Sequence, residues 1–259
     1  METQLTKPET GALATANAMD EMFGGKGYRL PIDAPLPQTK IVRETPIFET
    51  PDGQTTKEII GHILYYHNAN QYYATEYGAD EQGPPACASS DGVRPDGGEE
   101  PQAGPCRNCP LNQYGSAKEG KGKACQNTIR LYVLVDGEVI PCLIKASPSS
   151  LGKKESLLRW LTNAPNVAAK AGVGTKYQPI KVKFTLHKKD FADSGFSASV
   201  LDLETVRVLN PSNEEDMAKI KDLAQLYKDF MTLYQGRIVH DVANEQADTQ
   251  ASDEEEIPV

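Results

Sequence analysis

The chain has 259 residues, of which 39% are hydrophobic and 24% are charged, and its formal net charge is -9. This length and composition allow a buried core, so they exclude a fully disordered chain and a miniprotein that depends on disulfides. No apolar run approaches the roughly 20 residues that span a bilayer, and the N-terminus has no basic region followed by an apolar stretch. We therefore expect a cytoplasmic protein without a membrane partner.

Charge is distributed unevenly along the chain. Between Lys118 and Lys189 there are 14 Lys or Arg residues and only four Asp or Glu residues. From Asp241 to Val259 there are seven acidic residues and no basic ones. Phosphate binding requires local rather than overall positive charge, so a basic body with an acidic tail is compatible with a nucleic-acid partner.

The first half of the chain predicts strands that flank an insertion. Residues 1–38 lack a sustained hydrophobic period and predict an extended or disordered arm. Segments 40–49 and 58–67 are rich in β-branched and aromatic residues and predict strands, and 71–77 is a third candidate. The stretch 78–127 has no secondary-structure period, and a structureless insertion of this length needs an internal organiser.

The second half predicts a hairpin, a helix, two strands and a last helix. Asp136-Gly137 favours the hairpin turn because both residues tolerate positive φ, and the first helix should end near Pro165. The predicted elements are a hairpin of 129–135 with 139–144, a helix opening at Ser147-Pro148, strands 179–187 and 196–209, and a helix from the capping box Ser212-x-x-Glu215 to about Tyr234. The predicted buried face of this last helix carries Met217, Ile220, Leu223, Ala224, Tyr227, Phe230 and Met231.

This order predicts an α+β protein that is mainly β. A helix between the third and fourth strands of an antiparallel barrel is the oligonucleotide/oligosaccharide-binding (OB) arrangement. We therefore expect an OB-like domain at 39–235 with a C-terminal helix, followed by a disordered acidic tail at 236–259.

Four of the five cysteines lie in the insertion. Cys106-x2-Cys109 is a knuckle that can bind one ion through two thiolates, and Cys87 and Cys125 can complete a tetrahedral set. A chain without an export signal keeps its thiols reduced, so the spacing favours structural Zn²⁺ over disulfides. His62 and His67 are alternatives to Cys87 as a ligand. Cys142, in an apolar segment, is expected to be a buried small side chain.

No catalytic motif is complete. The knuckle matches half of the zinc deaminase signature, but no His-x-Glu or Cys-x-Glu accompanies it. The glycine-rich segment 115–122 lacks the Ser or Thr of a phosphate-binding loop. Asp202 and Glu204 are a modest candidate pair for magnesium in a nuclease or recombinase. We expect a protein that is not an enzyme.

Binding a single strand without reading its sequence requires cations along the backbone and aromatic faces for stacking. Alternation places Arg130 and Tyr132 on one face of their strand, and Lys181 and Lys183 on one face of a later strand. The insertion and its approach supply further candidates. The predicted DNA-binding residues are Tyr72, Tyr73, Tyr77, Tyr114, Lys118, Lys121, Lys123, Arg130, Tyr132, Lys181 and Lys183.

The last seven residues, Asp253-Glu254-Glu255-Glu256-Ile257-Pro258-Val259, are an acidic run with an apolar tip. This ending resembles the tail of bacterial and phage single-stranded-DNA-binding proteins, with Val259 where phenylalanine is usual. The resemblance implies that the acids compete with DNA for the basic groove and that Ile257, Pro258 and Val259 dock replication or repair proteins.

The sequence thus predicts a single-stranded-DNA-binding protein, phage-encoded, that acts in DNA replication, recombination or repair. The alternative is a zinc-containing adaptor whose basic face binds a polymerase or another acidic protein. The sequence does not decide between DNA and RNA or between a monomer and a homo-oligomer.

Overall fold

The α+β class predicted from the order of elements is confirmed by the computed structural model. The structure describes residues 36–43, 45–74, 83–118, 122–191 and 196–245. The elements in this part of the chain are β1 Gln38–Ile41, β2 Phe48–Glu49, β3 Thr55–Thr56, β4 Glu58–Tyr72, β5 Cys87–Ser89, β6 Gln126–Val135, β7 Cys142–Ala146, α1 Ser156–Lys170, β8 Ile180–Phe191, β9 Phe196–Val208 and α2 Glu214–Ala243. No described helix has the length and apolar character needed to cross a membrane.

One curled, half-barrel sheet contains the described strands. Its order is β3-β2-β1-β7-β6-β4-β8-β9, and β5 pairs with the end of β4. The long strand β4 is central because both β6 and β8 pair with it in antiparallel fashion. The far strand β9 reaches the segment after β1, where the backbone N–H of Ser199 donates to the Arg43 carbonyl at 2.8 Å.

The inner face of this sheet carries the main core. Alternation along β6 buries Ile129, Leu131 and Val133, as expected for a strand with one apolar face. On β8 the predicted alternation is confirmed, since Val182 and Phe184 are buried. The helix α1 contributes apolar side chains to the same core through Leu157, Trp160, Leu161, Ala164 and Ala168.

The outer edge of β9 is closed by side chains rather than by another strand. The hydroxyl of Ser150 accepts a hydrogen bond from the Leu201 backbone N–H at 2.9 Å, and the hydroxyl of Ser156 accepts one from the Leu203 N–H at 3.0 Å. An edge strand with free N–H groups is a template for pairing with another chain. These two serines remove that template along the middle of β9.

Ser150→Ala should lower the free energy of unfolding by about 1–3 kcal/mol, because it leaves the buried Leu201 N–H without an acceptor. Urea unfolding measures the change. Ser149→Ala is the matched control, since its hydroxyl makes no hydrogen bond to the described residues. Equal stabilities of the two variants would contradict this account of the edge.

Three predicted boundaries are wrong. Segment 40–49 is not one strand, because its two ends form β1 and β2, which pair with each other in antiparallel fashion. The first helix does not end at Pro165, which lies inside α1. The packing of Ala168 in the core keeps the helix going despite the missing backbone donor. The N-terminus at Ser147-Pro148 opens a short 3-10 turn instead, with α1 starting at Ser156.

The last helix also differs at both ends. Its N-cap is Asn213, not Ser212, and the Asn213 side chain accepts from the Asp216 N–H at 2.9 Å. It continues to Ala243, beyond the predicted end at Tyr234, because Ile238 and Val242 are also buried against the sheet. The predicted face is otherwise retained at Leu223 and Phe230, whereas Ala224 is exposed.

Candidate cysteine cluster and nucleic-acid interface

The four cysteines of the insertion surround one small cavity. Cys87, Cys106, Cys109 and Cys125 all line this space of about 20 Å³, together with Asn70 and Tyr72 from the end of β4. A space of this size accommodates about one water-sized sphere. The fold therefore brings together the set that the spacing predicts, and its room suits a single ion.

Local turns hold the knuckle in place. Residues Cys106–Asn108 form a 3-10 turn in which the Cys109 N–H donates to the Cys106 carbonyl at 3.3 Å. The Cys125 N–H donates to the Leu111 carbonyl at 2.8 Å, which ties the second half of the insertion to the first. Cys87 arrives from β5, so three separated pieces of chain meet at the cavity.

The thiols influence one another electrostatically. Burial, followed by the charges of Cys106, Cys109 and Cys87, raises the pKa of Cys125 to about 12. Burial is also the largest cause of the raised pKa of Cys87. As the side chains stand, no group of three or more His, Cys, Asp or Glu residues in the described part of the chain has an arrangement that holds a metal ion. The residues that could hold one after adjustment are these four cysteines.

The two histidines considered as alternative ligands have other partners. His62 Nδ1 lies 2.9 Å from the Gln178 carbonyl oxygen. His67 Nδ1 lies 2.6 Å from the Ser90 carbonyl oxygen, so this nitrogen carries the proton and Nε2 accepts from the Tyr132 hydroxyl at 3.2 Å. Cys142 is only 5% exposed, as predicted for a small core side chain, and its sulfur lies 3.5 Å from the Thr39 hydroxyl.

The outer face of the sheet collects the strand residues predicted to bind DNA. His62 on β4 pairs with Leu134 on β6 and with Lys181 on β8, so these three side chains lie on one face of the sheet. Every second residue along β6 and β8 from these positions lies on the same face. Arg130 and Tyr132 therefore lie on the same face as Lys181 and Lys183.

The part of this face formed by Tyr65, His67, Gln71, Arg130, Tyr132 and Lys145 is here named the β4–β6 face. The Tyr65, His67 and Tyr132 rings form a triangle with centroids 5.8 to 5.9 Å apart. Arg130 pairs across the strands with His67 on β4 and with Lys145 on β7. Aromatic rings and two cations are thus adjacent on one surface.

The β4–β6 face is covered by α2, which corrects the expectation that Arg130 and Tyr132 face solvent. The Phe230 ring packs 4.8 Å from the Tyr132 ring, and Tyr132 is only 4% exposed. Burial raises the pKa of Tyr132 to about 12. Arg130 is 2% exposed and forms an ion pair with Glu245, directly after the end of α2.

Glu245 has several partners on this face. Its carboxylate pairs with both Arg130 and Lys145, and it accepts from the Gln71 side-chain amide at 3.1 Å. The Tyr73 hydroxyl donates to the Glu245 backbone carbonyl at 3.3 Å. The Gln71 amide also donates to the Val242 carbonyl at 2.9 Å, so the end of α2 is fixed to β4.

Lys181 and Lys183 lie on β8, and both are engaged by acids. Lys181 pairs with Asp136. Lys183 is 3.7 Å from Glu204 and 4.0 Å from Glu58. Asp202, the other proposed magnesium ligand, accepts from the Ser156 hydroxyl at 2.7 Å and contacts His187. These pairs place Asp202 and Glu204 with different partners rather than at a shared site.

The remaining predicted DNA-binding residues lie around the insertion. Tyr114 is 84% exposed, and the Lys123 ammonium lies 5.2 Å from the centre of its ring. Lys118 is also exposed. Tyr72 and Tyr73 are half-buried at the end of β4. Tyr77, Lys121 and the tail Asp253 to Val259 lie outside the described residues.

The residues that sequence reasoning missed are Tyr65, His67, Lys145 and Glu245. The sequence does carry a signal for Lys145, because alternation from the buried Cys142 places it on the outer face, and strand pairing sets it next to Arg130. Glu245 had no sequence signal, since its role depends on where a 30-residue helix ends.

Comparisons of the chain with protein-family models, with curated proteins and with solved structures find no match.

Acidification should destabilise the fold through His62 and His67. Burial is the largest cause of the lowered pKa of both imidazoles, whose ordinary value is 6.5. As the pH falls below 6.5, the two histidines therefore take up protons in the unfolded chain before they do so in the folded chain. The stabilisation is complete above pH 6.5 and is lost as the pH falls, by at most about 1.4 kcal/mol per pH unit for each group. Urea unfolding between pH 7.5 and 5.5 measures it.

His67→Gln should reduce this pH dependence, whereas His240→Gln, at an exposed position, should leave it unchanged. If the pH dependence of the unfolding free energy were unchanged in His67→Gln and also in His62→Gln, the effect would belong to other groups.

Proposed function

We propose that the protein binds single-stranded DNA without sequence preference. The observation that carries this proposal is the composition of the β4–β6 face, where the Tyr65, His67 and Tyr132 rings adjoin Arg130 and Lys145. Because α2 covers this face in the structure, a strand would bind there only after displacing the helix. Bases stack on aromatic rings at about 1–3 kcal/mol each, and cations neutralise the phosphates between them. A face with both groups in contact has the chemistry that a flexible single strand requires.

The connectivity of the sheet supports the same proposal. The strands β4, β6 and β7 precede α1, and β8 and β9 follow it, with β4 pairing to both β6 and β8. This order resembles that of an OB barrel with a helix between its third and fourth strands. Here β1 is added beside β7, and β9 contacts the chain just after β1. In an OB barrel the face of the second and third strands binds the ligand, and under this mapping those strands are β6, with Arg130 and Tyr132, and β7, with Lys145.

We propose that the insertion is organised by one structural zinc ion. Four thiols around a cavity with room for a single ion match the Cys₄ donor set of closed zinc sites. The ion would neutralise thiolates that otherwise repel one another, and it would contribute directly to the folding free energy of the insertion. The same loop presents Tyr114 to solvent as an accessible contact for a base, with the half-buried Lys123 ammonium beside its ring.

The tail remains a prediction of the sequence. Its acids, Asp253 to Glu256, would compete electrostatically with phosphate, and Ile257 to Val259 would recruit replication or repair proteins. A chain with these parts would protect and hand over single strands during DNA replication, recombination or repair.

Binding to an unstructured oligonucleotide such as oligo(dT) should weaken with salt, with a logarithmic slope of about -0.7 per neutralised phosphate. Fluorescence anisotropy measures this, with duplex DNA and single-stranded RNA as comparisons. Absent or salt-independent binding would favour a protein-binding adaptor instead.

Tyr114→Ala should weaken binding to oligo(dT) by about 1–3 kcal/mol through loss of one stacking ring. Val139→Ala is the control, because Val139 is 79% exposed at the turn between β6 and β7. Equal affinities for the two variants would remove Tyr114 from the interface.

Elemental analysis should find about one zinc per chain. The double variant Cys106→Ser with Cys109→Ser should lose the metal and have a lower unfolding temperature. Cys142→Ala, which changes the one cysteine outside the cavity, should keep the full metal content. A metal-free protein of undiminished stability would overturn the zinc proposal.

A further inference from the structure

We propose that the C-terminal half of α2, with Glu245, is a displaceable cover that occupies the DNA site from within the chain. This inference rests on the proposed function. In the structure the cover is closed, and a single strand could reach Arg130 and Tyr132 only if residues 230–245 moved away.

The groups that α2 places on the β4–β6 face have the chemistry of a nucleic-acid strand. Phe230 packs on both Tyr65 and Tyr132, with ring centroids 6.2 and 4.8 Å apart, where bases would otherwise stack. Tyr234 stacks on Phe230 at 5.0 Å and extends the column of rings. The Glu245 carboxylate pairs with Arg130 and Lys145, as a phosphate would. The rings of α2 thus lie on the rings of the β4–β6 face, and the carboxylate of Glu245 lies on its cations.

Burial of the charges makes Glu245 the latch of this cover. The Arg130 side chain is 3% exposed, that of Lys145 is 19% exposed and that of Glu245 is 15% exposed. A buried guanidinium without an anion is strongly unfavourable. The closed cover therefore depends on an anion beside Arg130, which Glu245 supplies, and once α2 moves away the phosphates of a bound strand would pair with the exposed cations instead.

The two halves of α2 are held by different contacts, and in the C-terminal half Phe230, Tyr234, Ile238 and Val242 are buried. The N-terminal half is anchored by Leu223, which packs with Leu64, Leu134 and Leu209, and by Asp216, which accepts from the Asn210 N–H at 2.8 Å. The C-terminal half contains Gly236, whose backbone faces open space. Glycine inside a helix lowers its stability relative to alanine. Gly236 thus lowers the intrinsic helix stability of the covering half, whereas residues 214–226 contain no glycine.

Two substitutions in the full-length protein should move DNA affinity in opposite directions. Glu245→Gln removes the anion but keeps an acceptor for Arg130, so binding to oligo(dT) should tighten by at least about fivefold. Gly236→Ala strengthens the covering half and fits without a clash, so binding should weaken by about threefold to fivefold. Asp222→Asn removes one exposed carboxylate from the anchored half and should give less than half the effect of Glu245→Gln.

A measurement on the unaltered protein accompanies these variants. Amide hydrogen exchange within residues 230–243 should accelerate when oligo(dT) binds, while exchange within residues 214–226 stays protected. In the absence of DNA, Glu245→Gln alone should accelerate exchange in the covering half. Both results would support the cover.

The failures of the two proposals are distinguishable. Tight, salt-dependent binding of oligo(dT) by the unaltered protein, with affinity unmoved by Glu245→Gln and Gly236→Ala and with α2 fully protected, would overturn the cover and leave DNA binding standing. An absence of oligo(dT) binding in the unaltered protein and in Glu245→Gln would overturn the proposed function and the cover with it.

Discussion

The burial of Arg130 constrains the outer side of this fold. Its guanidinium lies on a central strand and is almost fully enclosed, so it requires an anion at the same depth. Glu245 supplies that anion, and doing so requires α2 to run its full length along the sheet and end beside β4. This charge pair therefore acts together with the apolar contacts of Leu223, Phe230, Ile238 and Val242 to fix the C-terminal helix over Tyr132 and its neighbouring rings.

The central strand β4 links the two functional regions. Its outward residues Tyr65 and His67 form part of the β4–β6 face, while Asn70 and Tyr72 near its end line the cysteine cavity. Asn127 at the start of β6 donates to Asn70 at 2.6 Å and accepts from Lys123 at 2.9 Å. Order in the insertion is thus transmitted to both central strands through short polar contacts, and loss of that order would reach the ends of β4 and β6 first.

Under the proposed function the exposed and the covered parts of the surface have different roles. Tyr114 on the insertion is open to a first contact. The β4–β6 face has more aromatic surface and deeper cations, but it is reached only at the cost of moving helical residues. The affinity of such a site for DNA depends on the difference between two free energies, that of the helix packed on the face and that of the DNA strand bound to it.

The sequence by itself determined the α+β class, the hairpin at Asp136-Gly137, the alternation of β8 and the grouping of four cysteines. Each of these depends on local spacing, since a turn residue, a period of two or a CxxC pair acts over a few positions. Alternation predicted that Arg130 and Tyr132 share one face of β6 and that Lys181 and Lys183 share one face of β8, whereas the pairing of both strands with β4 placed the two pairs on the same side of the sheet.

Only the tertiary structure decided what covers that face. The alternation that turns Arg130 outward does not say whether water, a ligand or another part of the chain lies against it, and its partner Glu245 is 115 residues away. The helix boundaries at Pro165 and Tyr234 failed for the same reason, because core contacts of Ala168, Ile238 and Val242 outweigh the local stop signals. Local propensity is fixed by neighbours in the chain, whereas burial is fixed by neighbours in space.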